Sequence, residues 1–128
     1  MILADSSVLI EFQRLPSIRT RQLIAKQNAA ICAVTVVELL TGARNPVERQ
    51  KITAVLSAFK RLPIDEPAWE LAGDLAAGLR VRGTTVALAD AVIAATAIHH
   101  GLPLWTRDNH FARFQAFAPL TFFDESTA

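Results

Sequence analysis

A single cysteine, Cys32, leaves this chain of 128 residues with no disulfide partner and no set of thiolates for a metal. It lies in the apolar run Ala30-Ile-Cys-Ala-Val34, where a small buried hydrophobe is expected. Long apolar runs are missing as well. A membrane span needs about 18 residues, and the richest stretch, Val86 to Ile98, is interrupted by Asp90 and Thr96. No basic cluster marks the opening Met-Ile-Leu-Ala-Asp, which reads as a buried strand and not as a signal peptide. The expectation is a cytoplasmic protein with no membrane contact. An excess of charge of either sign is also absent: thirteen basic residues face twelve acidic ones, a net charge of +1. That is too little to argue for a polyanionic partner. Disorder is excluded by 52% hydrophobic and 20% charged residues. No repeat, low-complexity segment or linker is visible, and residues 1–128 are expected to form one domain.

What is present is a regular alternation of short apolar runs with helical patterns. Ile2–Ala4, Ala30–Val34, Leu62-Pro-Ile64, Leu104–Thr106 and Leu120–Phe123 read as strands, the third at a sheet edge because of Pro63. Between them lie helical segments at Val8–Arg14, Ile18–Lys26, Thr35 to about Arg44, Pro46–Arg61, Ala68–Val81, Leu88–His100 and Asn109–Phe117. Pro16, Gly83 and the Gly101/Pro103 pair are stop signals. Only Glu125 to Ala128 look frayed. This order predicts a three-layer α/β domain with a central, mainly parallel sheet of about five short strands flanked by helices.

Four acids stand where apolar runs give way to helices: Asp5, Glu38, Asp90 and Asp108. In an open parallel sheet these junctions share one edge, so the acids can converge there. Converged carboxylates repel one another and need a hard, oxygen-seeking cation to stay ionised together. Each acid alone has an ordinary explanation. Asp5, Asp90 and Asp108 can cap helices, and Thr35-Val-Val-Glu38 has the form of a capping box. Two features favour a shared pocket. Glu38 and Asp90 are embedded in apolar sequence, which predicts half-buried settings that are costly without compensation. Hydroxyls also accompany the acids, Ser6 and Ser7 beside Asp5 and Thr106 beside Asp108; such groups orient ligand carboxylates. Glu66, Glu70 and Asp74 sit on a solvated helix face and need no further account. His99 and His100 precede Gly101 at a helix end, where they suit the dipole, and His110 is expected in solvent.

Taken in order, Asp5-Ser-Ser7, Thr35-Val-Val-Glu-Leu39, Leu88-Ala-Asp90-Ala-Val-Ile-Ala-Ala-Thr-Ala97 and Leu104-Trp-Thr-Arg-Asp-Asn-His-Phe111 resemble the PIN domain, and within it the VapC-type toxins of bacterial toxin–antitoxin pairs. The resemblance covers essentially the whole chain. It implies an Mg2+- or Mn2+-dependent endoribonuclease that cleaves RNA by a metal-activated water, leaving a 5′-phosphate and a 3′-hydroxyl. Asp5, Glu38, Asp90 and Asp108 match the family's acidic quartet, with Ser7 and Thr106 as supporting polar residues. Asp108 occupies the least constant of the four positions. The resemblance also implies a homodimer inhibited by a cognate VapB-type antitoxin. Arg14, Arg44, Arg80, Arg82 and Arg107 are candidates for RNA phosphates, although ordinary surface charge explains any one of them.

Two other acid-bearing α/β classes fit less well. A receiver-type phosphoacceptor wants an acidic pair after the first strand and a late lysine, but Asp5 is followed by serines and no lysine occurs after Lys60. A haloacid-dehalogenase-type phosphatase needs an acid two residues after the first, where this chain has Ser7. A catalytically inactive PIN-fold interaction module remains the alternative reading.

Overall fold

A computed structural model describes residues 1–128. Four strands form one parallel sheet: β1 (Ile2–Ala4), β2 (Ala29–Ile31), β3 (Lys60–Arg61) and β4 (Leu104–Trp105), in the order β3-β2-β1-β4. Seven helices connect and cover them: α1 (Ser6–Arg14), α2 (Ile18–Lys26), α3 (Ala33–Thr41), α4 (Pro46–Leu56), α5 (Glu66–Val81), α6 (Leu88–His100) and α7 (Ala112–Gln115). Short 3₁₀ turns precede α7 at Asn109–Phe111 and follow at Glu125–Thr127. No helix is long and apolar enough to cross a membrane.

The two-residue period of the strands divides the core into two layers. Leu3, Ala30 and Leu104 face α5 and α6, where they join Leu75, Leu79, Val92 and Ile93. Ile2, Ala4, Ala29, Ile31 and Trp105 face the other way, against Val8, Leu9, Leu23 and Ile52. Both faces of the strands are therefore apolar, as a parallel sheet covered on both sides requires. Helix α6 is the most enclosed of the helices, with Ala91 to Ala97 all buried. Its one polar member in that run, Thr96, donates to the Val92 carbonyl at 2.7 Å and so is satisfied within its own helix.

The sheet has four strands, not five. Leu62-Pro-Ile64 is not a strand: the edge strand lies just before it, pairing Ala30 with Lys60 and Ile31 with Arg61. The ladder ends where Leu62 donates to the Ile31 carbonyl, because Pro63 has no N–H to continue it. Pairing at Lys60–Arg61 also stops α4 at Leu56, short of the expected end at Arg61. Leu120–Phe123 contributes a single bridge, Leu104 to Phe122. The partner strand is too short to extend it. Expected bounds for α2 and α6 match those observed. The chain end is not frayed: the Glu125 carboxylate accepts from Trp105 Nε1 at 2.7 Å and from Arg107 Nη1 at 2.6 Å.

Gly78, inside α5, is set by a close approach. A Cβ placed there would lie 2.1 Å from the tip of the Phe117 ring, whose face also carries the Arg82 guanidinium at 4.4 Å. Overpacking of this kind costs about 1–3 kcal/mol, more than the roughly 1 kcal/mol that alanine recovers in helix propensity. Gly78→Ala is therefore expected to lower the midpoint of denaturant unfolding. In a Phe117→Leu background the same substitution should stabilise, and a loss in both backgrounds would refute the steric account.

Candidate metal centre

The strand order reverses beside β1, since β2 lies on one side of it and β4 on the other. Clefts at the carboxyl ends of parallel strands open at such switch points. Asp5 immediately follows β1, and Asp108 comes three residues after β4. Glu38 projects from α3, which follows β2, and Asp90 from the first turn of α6.

Asp5 is the most enclosed of the acids, 3% exposed. Its Oδ1 caps α1, accepting from the backbone N–H of Ser7 at 3.1 Å and of Val8 at 3.4 Å. The Ser7 hydroxyl donates to the same oxygen at 2.6 Å, and the Thr106 hydroxyl donates to Oδ2 at 2.6 Å. Ser7 and Thr106 are themselves held by the segment after β4. Arg107 N–H donates to Ser7 Oγ at 2.8 Å, and Asp108 N–H to Thr106 Oγ1 at 2.9 Å. Asp5, Ser7 and Thr106 thus form one hydrogen-bonded unit across β1 and β4.

Helix capping accounts for Asp5 and Asp108 only. Asp108 caps the 3₁₀ turn, accepting from His110 N–H at 2.8 Å, with His110 Nδ1 at 3.1 Å. Asp90 lies inside α6, whose first turn has no side-chain cap. The expected Thr35–Glu38 capping box does not form, because α3 begins two residues earlier, at Ala33. Thr35 is instead fully buried, with its hydroxyl unpaired. Glu38 is exposed as a whole residue and not half-buried, although the walls of the two clefts it lines still desolvate its carboxyl in part.

The carboxyls nevertheless feel one another. Burial lifts the Asp5 carboxyl above the ordinary aspartate range, against the pull of its Ser7 and Thr106 hydrogen bonds. Glu38 is raised by desolvation, then by the charges of Asp90 and Asp5, with the Ser6 hydroxyl opposing. Asp90 is raised by desolvation, then by Asp108 and Asp5, with Arg113 and His110 opposing. The four acids therefore share one electrostatic neighbourhood in which negative charge exceeds positive. Their oxygens are not drawn into a tight knot. The one group of three potential ligand atoms within 4.8 Å of one another lies elsewhere, at Asp65, His99 and His100. The surplus of negative charge suits a hard cation.

A cleft of about 510 Å³ runs from Glu38 between α1, α3 and α4, and Arg14 and Arg44 line it. Arg44 also pairs with Glu48 at 2.9 Å. On the other side of Glu38 an apolar cleft of about 340 Å³ carries Val37, Trp69 and Leu88. Arg107, one of the expected phosphate contacts, is occupied: it bridges Glu11 at 3.1 Å and Glu125. Arg82 lies over Phe117, at the far end of α5. The cation that reaches Asp90 is Arg113, which the sequence pattern does not single out. It sits about one turn beyond Asp108, so helical spacing could have drawn attention to it, but the direction of so short a helix is not legible locally.

A family model described as "PIN domain" matches residues 2–116. Ribonuclease VapC1 of Methanocaldococcus jannaschii is 32% identical over 117 residues, 91% of this chain and 82% of that protein. Ribonuclease VapC10 of Mycobacterium tuberculosis is 34% identical over 123 residues, 93% of this chain and 92% of its own length. Among solved structures, FitAcB from Neisseria gonorrhoeae superposes with a TM-score of 0.72 at 26% identity, covering 100% of both chains. VapBC2 from Rickettsia felis, bound to a DNA fragment from their promoter, gives 0.81 at 21% identity over 96% of this chain and 98% of that one.

Raised carboxyls make the folded chain bind more protons than the unfolded one, so this group of acids destabilises the fold as pH climbs from the ordinary carboxyl range through their raised values. Asp90→Asn should therefore raise the chelator-treated Tm at pH 7 and leave it nearly unchanged at pH 4. The gain at pH 7 should be no more than about 1 kcal/mol because Asp90 is partly solvated. A gain that is larger at pH 4 would contradict the shared-charge account.

Proposed function

This chain belongs to the PIN-domain family, and on that premise we propose that it is a VapC-type endoribonuclease toxin dependent on Mg2+ or Mn2+. Its reaction is hydrolysis of an RNA phosphodiester: water attacks phosphorus, the bond to the 3′-oxygen breaks, and a 5′-phosphate and a 3′-hydroxyl result. The observation that carries this reading is the shared field of Asp5, Glu38, Asp90 and Asp108 at the sheet's switch point. Residues 1–128 act as one domain on this account.

The residues present fit a divalent cation. Asp5 Oδ1 is filled by three donors, whereas Oδ2 takes only Thr106 and keeps a lone pair free. Asp5 would bind through Oδ2, and Asp90, Glu38 and Asp108 would complete the ligand set, with Asp108 the most replaceable. The cation's contribution is to lower the pKa of water and to offset charge on the phosphate. Ser7 and Thr106 are positioning residues that keep the Asp5 carboxylate in one orientation. Arg14 and Arg44 stand in the cleft leading from Glu38, where they can take RNA phosphates. Arg107 is a clamp and not a substrate contact.

The named relatives also support partners. VapBC-5 of Mycobacterium tuberculosis, 27% identical over 95% of this chain, is a member of the VapBC family of toxin–antitoxin systems, and this chain is proposed to be a cytoplasmic homodimer inhibited by a VapB-type antitoxin. The exposed apolar residues Val37, Trp69 and Leu88 supply surface for such contacts.

Purified without partner, the protein is expected to cleave RNA in Mg2+ or Mn2+ and to stop in a chelator. Thr106→Val should cost about 10–100-fold, the range for residues that support a ligand. Asp5→Asn and Asp90→Asn should cost more. Undiminished cleavage by both Asn variants would overturn the site. No cleavage of any RNA by a folded protein that still binds its partner would favour the inactive interaction module.

A further inference from the structure

The second gathering of ligand atoms lies at the opposite end of α6. Asp65, His99 and His100 each place one potential ligand atom within 4.8 Å of the others. His99 lies nine positions after Asp90 on α6, about 14 Å along the axis at 1.5 Å per residue. This cluster is therefore separate from the acids and stands whether or not these are catalytic. We propose that Asp65, His99 and His100 form a binding site for a borderline transition-metal ion of the Zn2+ class.

Three features carry the assignment. The Asp65 carboxylate divides its work: Oδ1 accepts from Ala68 N–H at 3.3 Å as the cap of α5, while Oδ2 faces His99 Nε2 at 3.1 Å. The oxygen needed for a metal is not the one that holds the helix. His100 has its Nε2 buried without any hydrogen-bond partner. An unmet nitrogen of this kind has no competing role to give up. The histidines also occupy the last turn of α6, where carbonyl dipoles favour a cation, and Gly101 closes the helix in the left-handed region at φ 65°.

The donor set selects the ion. Two imidazoles and one carboxylate suit Zn2+, Co2+ or Ni2+, whereas Mg2+ prefers oxygen alone. Tetrahedral Zn2+ with arms near 2.0–2.1 Å needs ligand atoms roughly 3.4 Å apart, so the side chains must close in slightly. The site is partly exposed, and water completes the coordination. Where a histidine nitrogen holds its proton towards Asp65, that proton is released to solvent as the metal takes its place. Filled, the site ties the start of α5 to the end of α6, the two helices that cover one face of the sheet.

Co2+ is the probe, titrated into Asp5→Asn/Asp90→Asn protein so that the acids do not compete. The expected result is one equivalent per chain, a visible d–d band, displacement by Zn2+ but not by Mg2+, and a higher Tm with Zn2+. His99→Ala and Asp65→Asn, each added to that background, should weaken Co2+ binding at least ~10-fold. Asparagine is an equally good cap, so the second variant keeps α5 intact. Absence of a saturable band, or a band indifferent to both substitutions, would overturn the proposal.

Discussion

Parallel pairing of β1 with β4 brings residues a hundred positions apart into hydrogen-bond contact, and the arrangement of the acids depends on it. Leu3 is registered against Leu104 and Ala4 against Trp105. Asp5 N–H then donates to the Trp105 carbonyl at 3.1 Å, the last rung before both chains leave the sheet. Beyond that rung the backbones diverge into α1 and the Asn109–Phe111 turn, and the gap is spanned by side chains. Thr106 reaches Asp5, and Ser7 accepts from Arg107 N–H. A slip of one residue between these strands would turn Leu3 and Leu104 out of their layer and part Asp5 from Thr106. Core packing and site geometry are thus fixed by one register.

Electrostatics works against that core. Asp5 is almost wholly buried, and Glu38 and Asp90 are lifted by desolvation and by one another. A fold selected for stability alone would place apolar or neutral groups here, since unpaired buried charge is costly. Hydrogen bonds to Asp5 offset part of that cost without neutralising it. Arg113 and His110 act on Asp90 from outside and do not pair with it. What remains around these acids is an excess of negative over positive charge. The Arg107–Glu11–Glu125 network beside it is different: one guanidinium pairs directly with two carboxylates, and Trp105 Nε1 adds a fourth member.

How much of this was legible in the sequence follows the range of the forces involved. Helices α2 and α6 are bounded by a serine cap in one case and by Gly101 in the other, signals that act within a few residues. Asp5 as a cap with Ser7 beside it is equally local. The strands were harder. With two or three residues each, their limits are set by partners, and Pro63 moved the edge strand from where apolar content placed it. Apolar neighbours of Glu38 suggested burial, but on a helix such neighbours point in several directions and Glu38 faces out. The tie of Glu125 to Trp105 and Arg107 joins positions about twenty apart, and nothing in the last residues announces it. Arg113 escaped notice for a related reason, since its role depends on how a one-turn helix lies against α6.

The chain's order of synthesis gives the β1–β4 register a further meaning. Asp5 and Glu38 are made first, whereas Thr106, Asp108 and the Arg107–Glu125 clamp follow about a hundred positions after Asp5. At 5–20 residues per second, roughly 5–20 s separate Asp5 from Asp108 on the ribosome. During that interval α1 can form while its carboxylate has neither Thr106 nor the strand that carries it. Any activity that requires the complete set of acids is therefore withheld until that later segment has been made.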